Sequence, residues 1–96
     1  MLVENKFKNN DIISFKVSSG EEILGRYVRE DDVNFYVTKP SVLMMSQQGM
    51  GMVPYMMTVR PEEEYAIART SVITFARTDD DIGKQYLSKT SGIQLS

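Results

Sequence analysis

A small, strongly bent antiparallel barrel of the all-β class is the fold this 96-residue sequence predicts, and three observations predict it. Five or six short runs of alternating apolar residues follow one another with turn residues between them. Gly20 separates the first two runs, where a tight hairpin needs a residue with positive φ. Gly25 falls inside the second run, where a missing side chain marks a sharp bend.

The elements follow in order. Residues 1–10 form a polar lead with Val3 and Phe7 at helical spacing, which predicts one or two helical turns lying on the barrel. Residues 11–17 alternate, with Ile13, Phe15 and Val17 on one face and Ser14 and Lys16 on the other. Residues 22–29 place Ile23, Gly25 and Tyr27 on one face and Leu24, Arg26 and Val28 on the other, as in a curved strand partly covered on both sides. The acidic turn Glu30-Asp31-Asp32 ends it. A third strand runs from Val33 to Val37, breaks at Lys39-Pro40 and resumes over residues 41–45; proline gives the ladder no donor, so Pro40 belongs at an edge or bulge. Residues 46–51 read as a flexible tip. The chain is apolar again over residues 52–59, with Pro54 at an edge, and residues 61–64 form a solvated acidic turn. Two short extended segments, residues 65–69 and 72–76, come next. Residues 11–77 thus make the barrel and residues 78–96 a polar tail. In that tail Thr78 to Asp81 resembles a helix N-terminus, and Ile82, Tyr86 and Leu87 supply an apolar face before Gly92.

Composition narrows the chemistry. The chain has no cysteine and no histidine, so it lacks a disulfide framework, a thiolate site, the commonest metal ligand and the usual neutral-pH base. Carboxylates such as Asp31 and Glu62 form no catalytic constellation, and the run Glu62 to Glu64 reads as a solvated turn rather than a metal site, since adjacent carboxylates on an extended chain alternate in direction and no other ligand has recognisable spacing. No catalytic residue, metal, cofactor or small-molecule substrate is expected. With no membrane-spanning run and no signal-peptide pattern, the reading is a soluble cytoplasmic protein. A formal charge of -2 argues against coating nucleic acid by bulk electrostatics while leaving room for a local basic site.

The spacing of Gly20, Gly25, Asp31, Asn34 and Val37 resembles the first signature of the Sm/LSm family, the Hfq-related ring-forming small barrels of SH3-like topology. One residue is missing between Asp31 and Asn34. The second signature, apolar-Arg-Gly, has its nearest counterpart at Ile67-Ala68-Arg69-Thr70, with Thr70 in place of the glycine. The resemblance implies a homo-oligomeric ring that binds single-stranded RNA at its pore. Asn34 and Arg69 would contact base or phosphate, Asp31 would orient the turn, and Thr70 beside Arg69 would complete the RNA-binding set. The position that stacks on a base in the family holds Asp32, which has no π face. On the residues alone, Asn34 is either a turn residue bonding its own backbone or a base contact. Arg69 is either a solvated or carboxylate-paired surface arginine or a nucleotide contact. Asp31 orders its turn by accepting backbone N–H bonds in both cases.

The methionines carry a separate inference. Met44, Met45, Met50, Met52, Met56 and Met57 fall on the two arms of the predicted long hairpin, together with Val42, Leu43, Val53 and Tyr55. Consecutive apolar residues place large side chains on both faces, whereas an isolated barrel needs only one face covered. A neighbouring copy of the same chain, joined edge to edge in a cyclic ring, would cover the second face. Met44, Met45, Met52, Tyr55, Met56 and Met57 are its expected contacts. Two alternatives stand beside it: the same residues capping the barrel mouth, or a plastic surface for another protein. RNA-binding ring and non-catalytic interaction module of the same fold are therefore the two functional expectations.

Overall fold

The protein is described by a computed structural model over residues 7–90; Val3 and Gly92 of the expected helical segments lie outside the described residues. Six strands, β1 (Ile12–Val17), β2 (Glu22–Glu30), β3 (Asn34–Ser46), β4 (Gly49–Pro54), β5 (Tyr65–Ala68) and β6 (Val72–Arg77), precede one helix, α1 (Asp80–Thr90). All pairings are antiparallel, in the order β4-β3-β2-β1-β6, with β5 paired to the first part of β3. The fold is mostly β, as the alternation predicts, but the sheet is not a closed barrel. β5 and β6 pair with different strands and not with each other, and a single 3₁₀ turn at Arg69–Ser71 spans the gap between them.

Gly20 takes φ +105°, and its N–H donates to the Val17 carbonyl at 2.8 Å. The hairpin between β1 and β2 therefore uses the positive φ that the sequence predicts there. Gly25 faces an irregularity in the pairing of β2 with β3. Leu24 pairs with Ser41 and Arg26 with Thr38, so Lys39 and Pro40 together oppose Gly25, the geometry of a bulge. A Cβ on Gly25 would lie 3.0 Å from both Cβ and Cγ2 of Val37, which shows why the position is bare. The expected break at Lys39-Pro40 is this bulge within a continuous strand. Lys39 adopts φ +51°, and β3 exchanges one partner for another there: β5 lies along residues 34–37 and β4 along residues 41–46.

The expected flexible tip is a two-residue turn. Ser46 pairs with Gly49, Gly49 has φ +114°, and the Ser46 hydroxyl accepts the Gln48 N–H at 3.1 Å. β4 stops at Pro54, because proline ends the ladder. Tyr55, Met56 and Met57 therefore follow the hairpin in a loop rather than lying on its arm, which corrects the expectation for those three.

The core gathers Ile13, Phe15, Val17, Ile23, Tyr27, Phe35, Val37 and Ile67 from the inward positions of the strands, with Phe7 added from the lead. Phe35 stacks edge-on against Phe15 at 5.1 Å and Phe75 at 4.7 Å between ring centres, a geometry aromatic pairs favour. Phe7 is not helical: Asn10 sits at φ +80°, and the Asp11 carboxylate accepts the Lys8 N–H at 2.8 Å, closing a turn instead. The tail joins the same unit. Asp79 caps α1 by accepting the Asp81 and Ile82 N–H groups at 3.1 and 3.4 Å, as an N-cap aspartate does. Tyr86 is fully buried, and its hydroxyl donates to the Lys39 carbonyl at the bulge at 2.6 Å. Leu87, expected on the same apolar face, stays partly exposed. No helix among the described residues is long and apolar enough to cross a membrane.

Candidate nucleic-acid interface

Asp31 organises the turn between β2 and β3. Its Oδ1 accepts the backbone N–H groups of Val33 and Asn34 at 2.9 and 2.7 Å, and its Oδ2 accepts the Tyr36 hydroxyl at 2.8 Å. Those backbone bonds, from Asn34 first and Val33 second, hold its carboxyl below the usual aspartate range. The Asn34 amide donates to the Tyr36 hydroxyl at 3.2 Å. Asn34 is thus a strand-opening residue bound into a local network with Asp31 and Tyr36.

Arg69 opens the 3₁₀ turn after β5, and the sheet carries it to the same rim. Asn34 pairs with Ala68, and the Arg69 N–H donates to the Val33 carbonyl at 2.9 Å. The two turns named by the sequence are therefore zipped together by backbone bonds. Their side chains part company. Phe35 points into the core and Glu30 is its cross-strand partner, so Glu30 shares the inner face. The Arg69 guanidinium follows them there: it lies 4.4 Å from the Phe35 ring centre and donates to Glu30 Oε2 at 3.0 Å. Asn34 and Tyr36 are the alternate, outward residues of β3. Arg69 therefore adopts the carboxylate-paired alternative, and its polar head lies on the opposite face from the Asn34 amide.

Each face of the rim carries its own ion pair. On the inner face the second Glu30 oxygen accepts the Tyr27 hydroxyl at 3.0 Å; burial, reinforced by that hydrogen bond, pushes the Tyr27 hydroxyl up to about 12. On the outer face Arg29 lies 3.7 Å from the Tyr36 ring centre and pairs with Glu64 at 3.0 Å. Thr70 and Asp32 are exposed. Sequence reasoning named Asn34, Asp31 and Arg69 but missed Glu30, Tyr27, Arg29 and Tyr36, which hold them. Strand alternation already placed Tyr36 on the face of Asn34; the Glu30–Arg69 pair, 39 residues apart, left no local signal.

The hairpin is a different kind of surface. Met45 lies 74% exposed and Met44 51%, with Val53 also open. Met52 is half-buried opposite Leu43. Met57 is exposed in the loop beyond β4, Tyr55 donates its N–H to the Pro40 carbonyl at 2.9 Å, and Met56 lines a groove of about 320 Å³ with Pro40, Pro54, Tyr65 and Lys89. None of Asn34, Asp31, Arg69 or Thr70 lines that groove. Scanned against protein-family models and searched against curated proteins, the chain matches none.

Proposed function

We propose that this chain is a non-catalytic, Sm-like interaction or structural module that works by joining copies of itself into a ring. The observation that carries the reading is the pair of strands that end the main path of the sheet. β4 and β6 end the sheet, and each has exposed apolar side chains on or beside it: Met44, Met45 and Val53 at one margin, Ile73 and Phe75 at the other. Bare strand edges with apolar flanks are templates for pairing. Two different edges on one subunit make a head-to-tail contact, which closes into a ring when the rotation permits. The bulge in β3 and the 3₁₀ turn before the last strand support an SH3-like strand arrangement of the Sm type, left open between β5 and β6.

Light scattering coupled to size exclusion tests this reading, with a closed assembly of several subunits expected. Met45→Lys together with Val53→Lys should shift the assembly to monomer while preserving the β-type circular dichroism. A wild-type monomer at high micromolar concentration ends the proposal.

A second reading, single-stranded RNA binding at the rim, is favoured by the zipped turns that carry Asn34 and Arg69. Weak contacts repeated around a ring act on one strand at high effective concentration. Binding of oligo-uridine at low salt that is lost in Arg69→Ala supports it; an intact assembly that ignores RNA leaves the first reading alone.

A further inference from the structure

The Glu30–Arg69 pair has the form of an occupied anion site. The Arg69 guanidinium is laid on the Phe35 ring at 4.4 Å and held at one edge by Glu30 Oε2 at 3.0 Å. Its side chain keeps 34% of its surface exposed and that of Glu30 24%, so solvent reaches the pair. An arginine fork offers five N–H donors and suits a phosphate by two of them. Here Glu30 receives one from the NH1 nitrogen.

We infer that Glu30 is a built-in competitor for an oxyanion at Arg69, so that the chain carries a phosphodiester-binding guanidinium closed by its own carboxylate. The choice of ligand rests on the second reading above, single-stranded RNA, whose backbone presents that group. Three features make the pair exchangeable. A partly exposed ion pair contributes little to stability, so trading carboxylate for phosphate is nearly balanced. Glu30 keeps the Tyr27 hydroxyl at 3.0 Å after release, so the freed carboxylate is not stranded. Arg69 remains fixed by its backbone bond to Val33 and by Phe35, so the guanidinium stays in place for the incoming group.

The site is then regulated by charge at residue 30. Glu30→Gln preserves the shape and the acceptor oxygen but removes the competing charge. It should bind a fluorescein-labelled oligo-uridine about tenfold more tightly than wild type near 50 mM salt. Its log-affinity against log-salt slope should steepen by about 0.7, one added phosphate contact on a single strand. Tyr27→Phe breaks the other Glu30 bond without freeing Arg69 and should bind as wild type does.

The double variant Glu30→Gln with Arg69→Ala should lose the gain. Persistence of the gain there assigns it to overall charge and overturns the inference. Wild-type binding that Glu30→Gln does not strengthen overturns the inference and leaves the RNA reading standing. No binding by wild type or by Glu30→Gln overturns both, whereas binding by Glu30→Gln alone, dependent on Arg69, supports a site that is closed until the carboxylate moves. Circular dichroism and the oligomeric state of each variant check that it folds.

Discussion

Gly25 shows at the scale of one residue how a backbone position becomes a packing position. The space a side chain would need is filled by Val37, 3.0 Å from the ideal Cβ, so the bare backbone at Gly25 and the inward placement of Val37 depend on each other. Gly25→Val overpacks this contact and should cost about 2–3 kcal/mol, lowering the melting temperature by roughly 10 °C or more. The mechanism is separable from generic strand effects. Gly25→Ala should destabilise the wild type more than it destabilises Val37→Ala, and equal penalties in a double-mutant cycle would rule out the Val37 γ-methyls as the obstruction. The bare position at Gly25 was legible in the sequence because glycine is a local signal, and Asp31 was legible for the same reason: the backbone N–H groups that donate to it lie two and three residues along the chain. Glu30 was not, because a carboxylate beside two others reads as a solvated turn until the register places it opposite Phe35.

Among elements, α1 and the bulge of β3 form one unit. The acidic cap and the periodicity of the tail announced a helix, but its docking partner lies 47 residues upstream, where the Lys39 carbonyl accepts the Tyr86 hydroxyl. That carbonyl is available because the bulge turns Lys39 out of the regular ladder. Tyr86→Phe removes this bond and should cost about 1–2 kcal/mol in denaturant melts. Tyr86→Ala, which also empties a fully buried site, should cost about 3–5 kcal/mol. An unchanged midpoint for Tyr86→Ala would show that the helix lies outside the cooperative unit. The hairpin of β3 and β4 follows a different logic. Its apolar residues on both faces were visible as a run, but where the arm ends was decided by Pro54 and by the Tyr55 bond to Pro40. Tyr55, Met56 and Met57 consequently leave the strand.

At the scale of the molecule, pH acts through groups that the fold perturbs in both directions. Asp31 and Asp11 are held below the ordinary aspartate value, Asp31 by the backbone N–H groups of Asn34 and Val33 and Asp11 chiefly by that of Lys8, with Arg77 assisting. A depressed carboxyl contributes stability above the unfolded value near pH 4, and that contribution is lost as pH falls through the folded value. Melting temperature should therefore drop between about pH 4 and pH 2, and Asp31→Asn, lower at neutral pH, should show a smaller drop. In base the sign reverses. Tyr27 is raised to about 12 and Tyr86 is raised by burial, so both favour the folded state below the unfolded value near pH 10. That stability is lost from there upward, and absorbance titration should show both hydroxyls ionising with unfolding rather than before it.

Local signals in the chain were enough for β1, β2, β5 and β6, for the glycine-marked hairpin turn, the aspartate-ordered turn and the capped helix, because each is written in contacts or conformations a few residues long. What needed the folded molecule was that the sheet stays open across a 3₁₀ turn, that the tail docks on the bulge of β3, and that Arg69 faces Glu30 while Asn34 faces Tyr36. Those outcomes depend on register and on partners tens of residues apart, where a shift of one position moves a side chain to the other face.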